Sequence, residues 1–192
     1  MRNWLVALAA TPLLFAASNN AQADFSGAYA IANWALSTSH GGSIDTSGVP
    51  ASVTLKGGSD GLGFSNQTMQ ISSPGAGAAL FHWSYIQDDR DASVWDPFGY
   101  LLNGSFQKLT VDYSGPSGNA QSGDASVMLA IGDIFAFDQR SLDSKLGFAT
   151  TTISNFSGPE GVQQGTNVPE PATLALLGLS ILSLAASRKR KK

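Results

Sequence analysis

Between Ala79 and Ile86 the chain reads ALFHWSYI, in which Phe81, Trp83 and Tyr85 alternate with His82 and Ser84. Successive side chains of an extended strand point to opposite faces, so this spacing puts three large aromatics on one face. Such a face must be buried against another layer, and nothing in the middle of the chain sustains the 3.6-residue stripe of a helix. The second layer therefore has to be a sheet. Further candidate strands are ANWAL (32–36), ASVTLK (51–56), TMQIS (68–72), YLLNG (100–104), FQKLTVDY (106–113), ASVMLAI (125–131), IFAFD (134–138) and FATTTISNF (148–156). Turn signals such as KGGSDGLG, SPGAGA, SGPSGNAQSGD and IGD separate them. The expected fold is all-β: an antiparallel β-sandwich, jelly-roll-like in topology.

The two ends read differently. Residues 1–23 carry Arg2, an apolar run from Trp4 to Ala17, and then Ala21-Gln22-Ala23. That order is a secretory signal peptide, with cleavage after Ala23; the translocon and a signal peptidase are the partners it requires. At the other end, Ala172 to Ala186 is uncharged and is followed by Arg188, Lys189, Arg190, Lys191 and Lys192. Fifteen helical residues cover only about 22 Å of a hydrocarbon core about 30 Å thick, a marginal transmembrane helix. Pro171 can sit in its first turn, and the long cationic stems can snorkel at its end. Cationic flanks stay cytoplasmic, so the basic tail would lie inside and the body outside. Just before the helix, Pro169 and Pro171 hold the backbone extended around Glu170, a form that a processing enzyme's cleft can bind.

The ending VPEPATLALLGLSILSLAASRKRKK, residues 168–192, resembles the PEP-CTERM sorting signal of exported bacterial proteins. Pro169, Glu170 and Pro171, then Thr173, Leu174 and Gly178, then the terminal Arg/Lys cluster carry the resemblance. It implies recognition by an exosortase in a Gram-negative bacterium that makes exopolysaccharide. It also implies transient anchoring in the inner membrane with the body in the periplasm, then the cell surface or the biofilm matrix. More weakly, DPFGYLLNGSFQKLT and the stretch from Gln121 to Ser157 resemble an uncharacterised β-rich domain of other such proteins. The organisation expected is a signal peptide (1–23), a sandwich ectodomain (24–156), a linker (157–167) and the sorting signal (168–192).

Between the two ends, five basic residues stand against all but one of the chain's fourteen acidic ones. An exported domain this acidic does not suit phosphate backbones, so nucleic acid is not expected as a partner. Cysteine is absent, which excludes disulfides and thiolate zinc sites and leaves stability to the hydrophobic core.

Chemistry is harder to find. Asp88, Asp89, Asp91 and Asp96 fall within nine residues, and carboxylate oxygens are what Ca²⁺ takes. The spacing is not that of an EF-hand, and a solvated acidic loop with Arg90 pairing locally is the simpler reading. No other cofactor is called for. Asp60, Asp124 and Asp133 read as turn residues bonding their own backbone. His40 and His82 lack any surrounding nucleophile signature, and Glu160 lies in the linker, away from a partner carboxylate. The expectation is therefore no enzyme, but a structural or adhesive surface protein. The alternative is a carbohydrate-binding module of the matrix, with Trp95, Phe98 and Tyr100 stacking on sugar rings; less favoured still is a secreted hydrolase.

Overall fold

The computed structural model describes residues 24–90, 92–114 and 118–161. Among them are ten strands: β1 (Ala35–Ser37), β2 (Ser43–Asp45), β3 (Ser52–Lys56), β4 (Ser65–Ser72), β5 (Gly77–Gln87), β6 (Phe98–Leu102), β7 (Ser105–Lys108), β8 (Ala120–Leu129), β9 (Ile134–Ser141) and β10 (Ala149–Ser157). The only helical pieces among the described residues are three short 3-10 turns. No helix there is long and apolar enough to cross a membrane. The expected signal peptide and C-terminal helix fall outside the described residues, as do Asp91 and the sorting motif.

The strands form two antiparallel five-stranded sheets, ordered β1-β4-β9-β6-β7 and β2-β3-β10-β5-β8. Every connection crosses from one sheet to the other except the hairpins β2–β3 and β6–β7. For β3–β10 this is the wiring of a jelly roll: β3-β10-β5-β8 in one sheet, β4-β9-β6-β7 in the other.

Period two explains the core. Along β5, Ala79, Phe81, Trp83, Tyr85 and Gln87 are buried while Leu80, Ser84 and Ile86 are exposed. From the facing sheet, Phe135 and Phe137 of β9 meet them, with Phe81 and Phe137 edge to face at 4.9 Å. Trp34 lies parallel to Phe137 at 5.7 Å, and Phe25 lies parallel to Phe156 at 5.1 Å. The chain before β1 thus plugs one end of the sandwich. Two 3-10 turns, Gly27–Tyr29 and Ile31–Asn33, aim Tyr29 and Trp34 inward, and the Trp34 indole donates to the Tyr29 carbonyl at 2.9 Å.

Three expectations need correction. FQKLTVDY is a strand only as far as Lys108: the Leu109 amide turns back to the Phe98 carbonyl at 2.9 Å, and the Thr110 hydroxyl accepts the Phe98 amide at 3.1 Å. Residues 121–124, read as part of a turn, lie in β8, which starts at Ala120. Their polarity reflects an edge strand rather than a loop. The segment read as linker does not leave the domain at once. Ser157 is still in β10, and the Tyr29 hydroxyl donates to the Pro159 carbonyl at 3.1 Å. A Cβ on Gly158 would run into the Tyr29 ring, so Gly158→Val should unseat this segment and free the Tyr29 hydroxyl.

Candidate functional site

An open groove lies where the edge strand β8 meets the segment after β7. Trp83, Leu109, Val111, Asp112, Tyr113, Asn119, Gln121 and Ser122 line its volume of about 510 Å³. Side-chain bonds hold its walls. Gln121 accepts from the Val111 amide at 2.7 Å and donates to the Val111 carbonyl at 2.9 Å, pairing with the backbone as a strand would. Lys108 anchors Asp112 at 2.6 Å.

Gly123 determines the floor. It stands opposite Trp83 in the β5–β8 ladder, and a Cβ there would come within 3.1 Å of the indole nitrogen. Without a side chain at 123, the edge of Trp83 opens to the groove, and its N–H meets no acceptor among the described residues. Beside it, Val111 and Tyr113 are exposed. The result is an apolar strip with an aromatic face, an indole donor and amides at the rim. Such a surface suits a ligand with one apolar face and many hydroxyls.

The aromatic platform of the alternative reading does not form. Trp95 is exposed, at the end of the 3-10 turn Ser93–Trp95. Phe98, however, is fully buried against Trp83, with ring centres 5.9 Å apart, and Tyr100 packs on Phe135 at 6.0 Å. Both lie on the inner face of β6, Phe98 fully buried and Tyr100 half-buried against the core. The sequence signal for the actual groove was Tyr113 with Gln121 and Gly123, split between a presumed strand and a presumed turn.

The acidic loop also separates. Asp88 is exposed, whereas Asp89 and Asp96 are buried. The Asp96 carbonyl accepts from the Tyr85 hydroxyl and from the Gln139 amide, both at 3.1 Å, which pins the loop onto β5 and β9. The Asp96 carboxyl is pushed up to about 7, mainly by burial, with the Asp89 carboxyl beside it adding to the shift. Burial and the same two carboxylates also push the Tyr85 phenol up. Among the described residues no three carboxylates or imidazoles converge as a metal would require of them alone.

Each histidine has an aspartate. His40 Nδ1 lies 3.1 Å from Asp60 Oδ2, and His82 Nδ1 lies 2.8 Å from Asp124 Oδ1. No serine hydroxyl is bonded to either histidine among the described residues. Asp60 also caps its turn by accepting from the Leu62 amide, and Asp133 does so from Ala130, as turn aspartates do. Asp124 is instead a strand residue on β8, directly opposite His82.

The site so defined is an open, partly apolar groove on a β-sandwich. Beyond the sandwich, residues 167–191 match the family model of the PEP-CTERM protein-sorting motif, so the chain carries that motif where Pro169-Glu170-Pro171, the apolar run and the basic cluster occur. No curated protein matches the chain. Among solved structures, similarity is found to a family 35 carbohydrate-binding module from Clostridium thermocellum, at 13% identity and TM-score 0.33 over 62% of this chain and 87% of that one. A family 35 module from an environmental isolate matches at 12% identity and TM-score 0.38, over 67% and 92%. TmCBM61, solved in complex with beta-1,4-galactotriose, matches at 10% identity and TM-score 0.36, over 66% and 88%. TM-scores this low leave the fold to the strand order and the ligand to the groove's own chemistry.

Proposed function

We propose that this is an exported structural or adhesive protein of a Gram-negative cell surface or biofilm matrix, delivered by its C-terminal motif and presenting one acidic β-sandwich. The observation that carries the reading is the sorting motif at 167–191 joined to a closed sandwich. An exosortase would bind Pro169-Glu170-Pro171 while the apolar run holds the chain in the inner membrane. The body would then pass to the surface. Production in a host with an exosortase, and in the same host lacking it, tests this. Loss of the C-terminal mass only in the first strain is expected, and so is its retention there in the Glu170→Ala variant. An unchanged C-terminus in both strains would make the tail a plain anchor.

The second reading is polysaccharide binding, and the groove around Trp83 and Tyr113 favours it over the Trp95–Tyr100 segment. A sugar ring would lie against Tyr113, with the Trp83 N–H and the Asn119 amide reaching its hydroxyls. Tyr113 is exposed, so Tyr113→Ala should leave the melting temperature within about 2 °C of wild type, as surface changes do. Retardation in gels containing the host's exopolysaccharide should weaken about tenfold in that variant, the order expected from losing one stacking face. Gly123→Val, which would close the floor, should act in the same direction. Equal mobility with and without polysaccharide would remove this reading and leave the structural one.

Catalysis is not part of the proposal. It would need a nucleophile activated by a base, and among the described residues no serine hydroxyl is hydrogen-bonded to either histidine of the two His–Asp pairs.

A further inference from the structure

The Asp96 side chain is completely buried, and the Ser141 hydroxyl and the Asp89 carboxyl face it, yet neither of its oxygens completes a hydrogen bond of ordinary geometry. The Ser144 hydroxyl, also fully buried, has no partner either. Buried polar atoms are almost always bonded, and a buried carboxylate without a donor is among the costliest exceptions. These groups come from two loops. Asp89 and Asp96 belong to the 88–96 connection between β5 and β6, while Ser141 and Ser144 belong to the end of β9 and the turn after it. The loops already touch through the Leu142 amide and the Trp95 carbonyl at 2.7 Å. The Ser144 amide bonds the Ser141 hydroxyl at 3.0 Å, which fixes the turn. Asp143 adds a third negative charge to the neighbourhood without becoming a third ligand.

We propose that the Asp89 and Asp96 carboxyls, with the Ser141 hydroxyl beside them, bind one calcium ion that ties the two loops together. The donors are all oxygen, which selects a hard cation and disfavours zinc or copper. Two carboxylates and one hydroxyl give up to five oxygens, and carbonyls or water complete the six to eight that Ca²⁺ accepts in irregular geometry. Magnesium demands a near-octahedral shell and dehydrates reluctantly, so it fits less well. The proposal goes beyond the sorting and glycan readings and depends on neither, since the site is remote in sequence from the sorting motif and shares no residue with the groove.

The test uses the full chain in detergent, melted by near-ultraviolet circular dichroism in EDTA and in CaCl₂ up to 10 mM. Calcium should raise the melting temperature by about 5–10 °C near a hundredfold excess over its dissociation constant. Magnesium should do less, and NaCl of equal ionic strength almost nothing. Asp96→Asn removes the unbonded charge, so in EDTA it should melt above the wild type, and calcium should no longer shift it. Terbium supplies a second readout that does not depend on a variant folding. Bound between these carboxyls it should luminesce on excitation of Tyr85, whose hydroxyl is bonded to the Asp96 backbone, and calcium should quench the emission with one-site stoichiometry. A melting temperature indifferent to calcium would show that the two carboxyls share a proton only. A calcium shift retained in Asp96→Asn, or terbium emission that calcium does not displace, would place any bound ion elsewhere. Each of these results overturns the proposal.

Discussion

Phe137→Ala is expected to cost the domain about 3–5 kcal/mol, the range for deleting a buried aromatic ring. The position is chosen by contacts. Phe137 lies on the central strand β9, between β4 and β6, and is fully buried. Its ring meets Phe25, Trp34, Phe81, Phe135 and Phe156 at centroid distances from 4.9 to 6.4 Å. Those partners come from the N-terminal plug and from both sheets, so no single segment can move in to fill the space. Collapse around the cavity should be poor, which puts the cost at the upper end of the range. With no disulfide to hold the unfolded chain together, a loss of that size should lower the melting temperature by roughly 10–20 °C. Phe137→Leu, which keeps most of the volume, should cost less than half as much. Thermal melts of the three proteins decide it; a drop below about 5 °C for the alanine variant would mean that the aromatic cluster is not the centre of the core.

The alternation that made β5 readable is the same feature that makes Phe81, Trp83 and Tyr85 core residues, so fold class and core came from one signal. Strands β3, β4, β5, β9 and β10 carry enough β-branched and aromatic residues to stand out. What did not stand out has a physical cause in each case. β2 is three residues long inside a Ser/Gly-rich stretch, and only the ladder with β3 makes it a strand. The start of β8 is polar because it is an edge, and it contains glycine because Trp83 lies opposite. The groove was illegible because it is made by a pairing distant in space: Gln121 imitates a neighbouring strand for Val111, and no local pattern encodes that. For the acidic loop, the residue types were legible and their partition was not. Burial sends Asp89 and Asp96 inward and leaves Asp88 outside, and a run of aspartates carries no period that says which goes where. Phe98 and Tyr100 could be offered to a ligand only because a turn precedes them; the strand that follows the turn carries both inward, as large aromatics usually go. The sorting motif was legible in full, since order along the chain is all it needs.

Arg140→Met is expected to destabilise the domain by about 3 kcal/mol, far more than the 0–1 kcal/mol of an ordinary surface ion pair. Asp138, on the opposite face of β9 from Phe137, is nevertheless completely buried, and Arg140 Nε donates to its carboxylate at 2.7 Å. The Thr68 hydroxyl supplies the second donor at 3.2 Å, and the Asn66 amide bonds Thr68 in turn at 3.0 Å. The guanidinium also lies 3.6 Å over the Phe106 ring. That ring can lie across the sheet because position 99 is glycine; a Cβ there would come within 2.8 Å of it. Methionine can keep the packing on Phe106 but not the charge, so the cost isolates the pair. Removing Arg140 leaves Asp138 as a buried carboxylate with a single weak donor, and that uncompensated charge carries most of the loss. It follows that Asp138→Asn in the Arg140→Met background should restore much of the stability, although Asp138→Asn alone should destabilise. A double-mutant cycle by urea unfolding measures the coupling, and added salt should change it little because the Asp138 carboxylate is shielded from solvent. If the single Arg140→Met change costs under 1 kcal/mol, or the second substitution adds to the loss, Asp138 is not held by Arg140 and the outer face of this sheet is free to take a ligand instead.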